Sequence, residues 1–291
     1  MARSIGELIL ENEKPLLKMW SIDVNPGSRP FIKHSHSRFE ITVVNRGSGK
    51  YTTEKSTFPM AAGDVFVFAS NEIHCITNVD KNGLSITNLH FEPRYLALKE
   101  DVENSGFLQL CFSHSSEFEN RIPSNKADII RTNHNYIKKE FEQNDELLPK
   151  AIESYLNLIL IDLIRNQKYL TNTLDDTKNY VKNMLYVYEY IDQHLCETIT
   201  LNQLADMVYL TPNYFSYLFK KLNGISLCNY INAKRIEKAT KLITAKDCEL
   251  SMLEIATNCG FNNTANFNKI FKKFKGFTPS ELKKNPKLLW H

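Results

Sequence analysis

Between residues 16 and 91 the hydrophobic positions fall in short runs that alternate with polar ones at a period of two: LLKMWSIDV, FEITVV, GSGKYTT, GDVFVF, IHCITNV and LSITNLHF. Alternate residues of an extended chain share a face, so each run predicts a half-buried strand. Asn25-Pro26-Gly27, Arg46-Gly47-Ser48-Gly49 and Lys81-Asn82-Gly83 read as the turns between them, and the whole predicts a small antiparallel barrel or sandwich. After Pro93 the period changes to three and four, which predicts helices over 127–141 and 147–164. On the second of these, Ile152, Tyr155, Leu156, Ile159, Leu160 and Leu163 form a stripe wider than a surface helix needs. Such a face either packs on the barrel or pairs two copies of the chain.

Residues 166–179 carry no sustained apolar face and read as a linker. Beyond them every pattern is helical, with one helix over 178–194 and several short ones bounded by Thr200, Thr211-Pro212, Gly224, Ser251, Gly260, Gly276 and Thr278-Pro279. At 291 residues the chain exceeds what one core usually serves. The expected division is a sensory domain over 1–125, a helical dimerisation segment over 126–166, a linker over 167–180 and an all-helical domain over 181–291.

That last domain contains a duplication. Leu204-Ala205 recurs as Ile255-Ala256, and Phe215, Phe219, Lys220, Lys221 and Gly224 recur 52 residues later as Phe267, Phe271, Lys272, Lys273 and Gly276. Each copy is a short apolar helix, a turn and a second amphipathic helix opened by a capping residue, which is helix-turn-helix logic. In the first copy the apolar residues of the second helix leave Asn213, Ser216, Tyr217 and Lys220 outward, with Lys221 beside them; in the second they leave Ala265, Asn268, Lys269, Lys272 and Lys273. The charge follows the same division: residues 181–291 hold 15 Lys and Arg against 9 Asp and Glu, whereas residues 1–180 hold 21 against 24. A basic domain with two matched polar helix faces points to a polyanion as partner.

These residues resemble the double helix-turn-helix domain of the AraC/XylS family of bacterial transcription regulators. The likeness is carried by TLNQLADMVYLTPNYFSYLFKKLNG, by NYINAKRIEKATKLI with Arg235, Ala239 and Leu242, and by LEIATNCGFNNTANFNKIFKKFKGFTPSELKK. It implies double-stranded DNA as partner, with the two units on one connecting helix entering successive major grooves. By that mapping Asn213, Ser216 and Tyr217 read bases in the first unit, and Ala265, Asn268 and Lys269 in the second. Lys220, Lys221, Lys272 and Lys273 reach the phosphates. Tyr217 stands where an arginine is often found, which favours contact with a thymine methyl or stacking over guanine reading.

In the first domain His34, His36 and Glu40 are spaced so that an extended chain points all three to one face. The run HSHSRFEITVVNRG matches the first cupin motif and ends at Gly47, though Gly27 lies one residue further upstream than the motif expects. Gly63, His74 and Asn78 keep the spacing of the second motif, with Ala69 and Asn71 in place of its usual Pro and Gly. Residues 16–92 therefore resemble a cupin barrel, the sensory domain usually joined to this DNA-binding type. The matching positions in metal-binding cupins are ligands, so His34, His36, Glu40 and His74 are a candidate set for a divalent metal. The same residues with Trp20, Tyr51 and His90 also suit a pocket for a small organic effector such as a sugar, and they also suit a purely structural role.

The expected fold is α+β and multidomain: an antiparallel cupin-like barrel with following helices, then an all-α double helix-turn-helix domain. The expected function is a regulator controlled by a small effector, acting as a homodimer and, if an activator, through RNA polymerase. The family pairs through helices that follow the barrel, which favours the 152–163 stripe as the dimer contact. A metal-dependent cupin enzyme or metal sensor fused to a DNA-binding domain is the alternative, and a constitutive architectural DNA-binder is a third. No catalytic triad, phosphate loop or dinucleotide fingerprint is present, so the cupin histidines are the sole catalytic candidates. Six scattered cysteines without a CxxC pair, 42% hydrophobic content, no run of membrane-spanning length and no apolar signal core fit a reduced, cytoplasmic protein with no membrane partner.

Overall fold

The computed structural model describes the chain apart from residues 1, 9–15, 27–32, 37, 71, 98–106, 112–113, 116, 170–177, 224, 246–247, 287 and 289–291. Gly27, Asn71, Gly224 and most of the expected linker lie outside the described residues, as does the Lys221 side chain.

Seven strands, β1 (Ala2–Leu8), β2 (Leu17–Val24), β3 (Phe39–Thr53), β4 (Thr57–Ala61), β5 (Val65–Phe68), β6 (His74–Phe91) and β7 (Arg121–Ile122), form one sheet. Their order is β1-β2-β6-β3-β5-β7, with β4 paired to β3, and every pairing is antiparallel. Two expected turns are absent. Arg46 to Gly49 lies inside β3 and Lys81 to Gly83 inside β6, whose mutual pairing runs from Phe39↔Phe91 to Thr53↔His74 through shifts of register. Gly47 and Gly83 adopt φ of +86° and +72°, and a Cβ on Gly47 would lie 2.0 Å from the Gly83 carbonyl oxygen. Only glycine tolerates both the dihedral and the approach, so these residues bend a long ribbon as bulges and do not end it. β5 shows how the two faces divide. Phe66 and Phe68 join Val44, Tyr51, Met60, Ile76, Leu84 and Ile86 in an inner cluster, while Val65 and Val67 face outward into a second cluster with Ile41 and Leu89.

Helices α1 (Pro93–Ala97), α2 (Phe107–Leu110), α3 (Asp128–Gln143) and α4 (Leu148–Arg165) cover that outer face. Ile152, Leu156, Ile159, Leu160 and Leu163 are buried within this chain, which spends most of the wide stripe of α4 internally. Leu158 on α4 and Tyr136 on α3 stay exposed, and the Tyr136 ring stacks on Tyr155 with centroids 5.0 Å apart.

The remaining helices are α5 (Lys178–Gln193), α6 (Leu201–Met207), α7 (Pro212–Asn223), α8 (Leu227–Thr244), α9 (Met252–Asn258), α10 (Thr264–Lys275) and α11 (Pro279–Lys284). Their ends follow the local code. Thr200 caps α6 by accepting the Gln203 N–H at 3.2 Å, Ser251 with Glu254 and Thr278 with Glu281 form reciprocal capping boxes, and Gly276 ends α10 at φ +82°.

The outer cluster of the sheet continues through α4 to Val187 on α5, Leu204 on α6, Phe215 and Phe219 on α7 and Tyr230 on α8. The first helix-turn-helix unit thus shares its core with the barrel, whereas Ile255, Phe267, Phe271 and Leu282 of the second unit pack in a cluster of their own with Ile236 and Ala239 of α8. A buried ion network ties α8 to the end of β6. Lys234 Nζ donates to Glu92 at 2.7 Å and lies 3.5 Å from Asp192, and Arg38 lies 3.4 Å from Glu92 and 3.2 Å from Glu237.

Candidate functional site

The long pairing of β3 with β6 sets Glu40 opposite His90, and an isolated bridge sets His34 opposite His74. All four expected residues therefore converge, and His90 joins them. Glu40 is buried, with His36 Nε2 at 2.9 Å, His90 Nε2 at 2.7 Å and His74 Nε2 at 3.2 Å from its Oε2. Its Oε1 accepts from Thr42 at 2.6 Å and from Tyr51 at 3.4 Å. Burial opposes ionisation of Glu40, but His90 and His74 outweigh it and hold the carboxyl well below its usual range. The pair is mutual at His74, where burial lowers the imidazole pKa and Glu40 raises it further, for a net rise. At His90 burial prevails and the pKa falls well below normal. Trp20 packs edge-on against His90 with centroids 4.3 Å apart.

This cluster lines one side of a cavity of about 500 Å³. Met19, Trp20, Tyr51, Ile76 and Ile86 give it apolar walls, and its far side comes from the helical domain, through Glu237, Thr240, Lys241 and Thr244 of α8 and Lys275 of α10. Around the rim Lys18, Arg38, Lys241 and Lys275 face Glu7 and Glu237. Arg38 Nε is buried there without a hydrogen-bond partner. Burial and the nearby Arg38 push the Lys18 ammonium down to about 8, and burial lowers Lys275 too. The sequence offered no sign of Lys18, Arg38, Glu237 or Lys275, which come together from β2, the residue before β3, α8 and α10. Gly63 and Asn78, by contrast, do not reach the cavity: Gly63 turns at φ +88° beside Ser124, and Asn78 pairs with Lys50 in the sheet.

On the helical domain, α7 buries Phe215, Leu218 and Phe219 and leaves Asn213, Ser216, Tyr217 and Lys220 exposed. In the same way α10 buries Phe267 and Phe271 and exposes Ala265, Asn268, Lys269, Lys272 and Lys273. Two exposed aromatics were missed, Tyr214 on α7 and Tyr209 in the turn before it, the latter 94% exposed at φ +55°. Tyrosine is found on buried and exposed faces alike, so the residue type gives no warning that these two face outward.

Residues 26–119 match the family described as an AraC-like ligand binding domain, and residues 204–285 match a helix-turn-helix domain family. Such a pairing of a ligand-binding barrel with a double helix-turn-helix defines an effector-linked DNA-binding protein. The chain is 25% identical to the probable transcriptional regulator LumQ of Photobacterium leiognathi, over 85% of this chain and 90% of that one. It is 25% identical to the transcriptional activator RhaS of Pectobacterium carotovorum, over 87% and 88%. Its fold is similar to that of ToxT from Vibrio cholerae, with a TM-score of 0.58 at 12% identity over 92% of this chain and 97% of that one. A ToxT structure with an unsaturated fatty acid bound gives 0.57 at 14% identity, over 94% and 97%. The chain is an AraC-family transcriptional regulator. Among the described residues no helix is long and apolar enough to cross a membrane.

Proposed function

We propose that this regulator is switched by an organic acid with an apolar body, held in the cavity between the barrel and helices α8 and α10. The observation that carries this reading is the double lining: hydrocarbon walls from the barrel, and a cationic rim shared by both domains with an unsatisfied Arg38 Nε. The lining mixes hydrogen-bonding groups, among them His34, His36, Asn88 and His90, with the apolar Met19, Ile76 and Ile86, and this apolar share together with the cationic rim favours an acid with a hydrocarbon body over a sugar. ToxT has been seen with a fatty acid bound, and that chemistry suits this cavity. The bound carboxylate competes with Glu237 for Arg38 and loosens α8 from the barrel, which shifts the population of domain arrangements.

On DNA, Asn213, Ser216 and Tyr217 and then Ala265, Asn268 and Lys269 face the bases, and Lys220, Lys221, Lys272 and Lys273 face phosphates. Lys269→Ala should cost about 1–3 kcal/mol of specific binding, and Lys284→Ala, at the end of α11, less. Equal losses in an anisotropy titration would remove Lys269 from the base-reading set. Pairing of two copies in the cytoplasm uses what α3 and α4 leave outside, Tyr136 and Leu158, and an activating form meets RNA polymerase. The protein is read as a regulator without an enzymatic step.

The effector reading is tested by thermal shift of the full chain with decanoate, decanol and L-rhamnose. Decanoate at saturation should raise the midpoint by about 5 °C, the scale expected for a ligand at roughly a hundred times its Kd, and Lys275→Ala should reduce the shift. The pH dependence has a definite sign. Lys18 titrates near 8 against an ordinary 10.5, a bound carboxylate favours its charged form, and so decanoate affinity should fall as pH rises through 8. A shift with rhamnose and none with decanoate would sink the assignment.

A further inference from the structure

The cavity between the sheet and helices α8 and α10 holds a half-buried amine of unusual surroundings. Lys18 lies on β2, where the ladder sets it between Glu7 of β1 and His90 of β6. Alternate residues of a strand share a face, and Lys18, Trp20 and Ile22 all line the cavity. The Lys18 Nζ stands 4.8 Å from the centroid of the Trp20 ring. Among the described residues none gives this Nζ a hydrogen bond or an ion pair. The groups around it are engaged elsewhere: Glu237 lies 3.2 Å from Arg38 and 3.9 Å from Lys241, and His90 Nε2 lies 2.7 Å from Glu40.

A lysine that is desolvated, unpaired and close to another cation is the form in which an amine becomes a nucleophile toward carbonyl carbon. Burial and Arg38 hold the Lys18 pKa at about 8. At pH 7.5 roughly a quarter of such side chains carry a free amine, against about one in a thousand for an ordinary lysine. Lys234, whose ammonium is fixed by Glu92 at 2.7 Å, is the opposite case.

We propose that Lys18 captures an apolar aldehyde covalently, as an imine, inside this cavity. Nζ adds to the carbonyl carbon to give a carbinolamine, and the carbon–oxygen bond then breaks. The carbonyl oxygen leaves as water with the two protons that the neutral amine gives up. Neither an oxidant nor a reductant is needed, and hydrolysis returns both partners. The hydrocarbon body of the aldehyde packs on Trp20, Ile76 and Ile86. The capture shares the cavity with the organic acid but uses the other form of Lys18, since a carboxylate favours the ammonium and an aldehyde consumes the free amine.

The test incubates the full-length chain with decanal at pH 7.5, reduces the imine with cyanoborohydride, and locates the decyl group by intact mass and peptide mapping. One decyl group per chain is expected, on Lys18, placed there at least about tenfold faster than on the exposed lysines because of its larger share of free amine. Lys18→Arg keeps the charge but forms no imine, and it should lose that group while folding normally by circular dichroism. If that variant does not fold, the ratio of labelling rates within the wild-type chain decides alone. Saturating decanoate should slow the labelling of Lys18; undiminished labelling would remove the acid from the cavity and leave the imine in place, so the two readings fail separately. The proposal is overturned if the label spreads over exposed lysines without preference for Lys18, or settles instead on Lys241 or Lys275, the other amines of the lining.

Discussion

Lys234→Met should lower the stability of the chain by about 3–5 kcal/mol, because removing one partner of a buried ion pair leaves the other charge uncompensated. Lys234 sits on α8 of the DNA-binding part, and its ammonium reaches Glu92 on the sensory part, 142 residues away in sequence. Burial disfavours the charge, but Glu92 outweighs it and holds the pKa well above normal, so the lysine is charged in the folded chain throughout the neutral range. Its contribution is present below the unfolded pKa and is lost only in strong alkali, as pH climbs through the raised folded value. Urea denaturation of Lys234→Met, Glu92→Gln and the double variant closes a mutant cycle. A coupling near zero would show that the two side chains meet without holding the parts together. The double variant is expected to recover part of the loss, since it removes the stranded carboxylate as well.

A second large effect is expected at Phe271. Its ring is fully buried in the cluster formed by the second helix-turn-helix unit with α8, beside Phe267 and Phe277. Phe271→Ala should cost about 3–5 kcal/mol, but because that cluster is separate from the one that continues into the barrel, the loss should appear as early melting of the second unit alone. Phe219→Ala, in the continuous core against Tyr188 and Tyr230, should instead lower the main transition. Hydrogen exchange resolved by peptide distinguishes the two, and uniform loss of protection in both variants would contradict the division of cores. Specific DNA binding should fall in Phe271→Ala even where the rest of the chain is intact, since α10, the second proposed reading helix, rests on that cluster.

The helical part was legible because its information is local. Thr200, Ser251 and Thr278 cap their helices through residues three places on, and the recurrence of phenylalanines at fixed spacing marks the buried face of α7 and α10. The histidine cluster was legible too, through the spacing of its motifs, although His34 and His36 precede β3 and only Glu40, His74 and His90 lie on strands. What could not be read was non-local or irregular. β1 is a polar-rich edge strand whose Gly6 lies so close to α3 that a Cβ would meet the Phe141 ring at 2.2 Å, and it has no clean alternation. The glycines of β3 and β6 carry the composition of a turn yet serve a bulge, a difference decided by what packs across from them. Lys234 and Glu237 acquire their partners only through chain reversal, and no spacing rule links position 92 to position 234.

Helix α8 also sets where the protein can be cut and rejoined. Arg235 on its other side donates to the carbonyls of Leu195 and Glu197, so the helix grips the sheet domain with one flank and the connection between α5 and α6 with the other. A chimera that joins this sensor to a relative's DNA-binding half at the polar segment near residue 175 therefore separates Glu92 and Arg38 from the lysine and glutamate they were matched to. Exchange of the halves carries the switch across intact only when those four positions travel as a set.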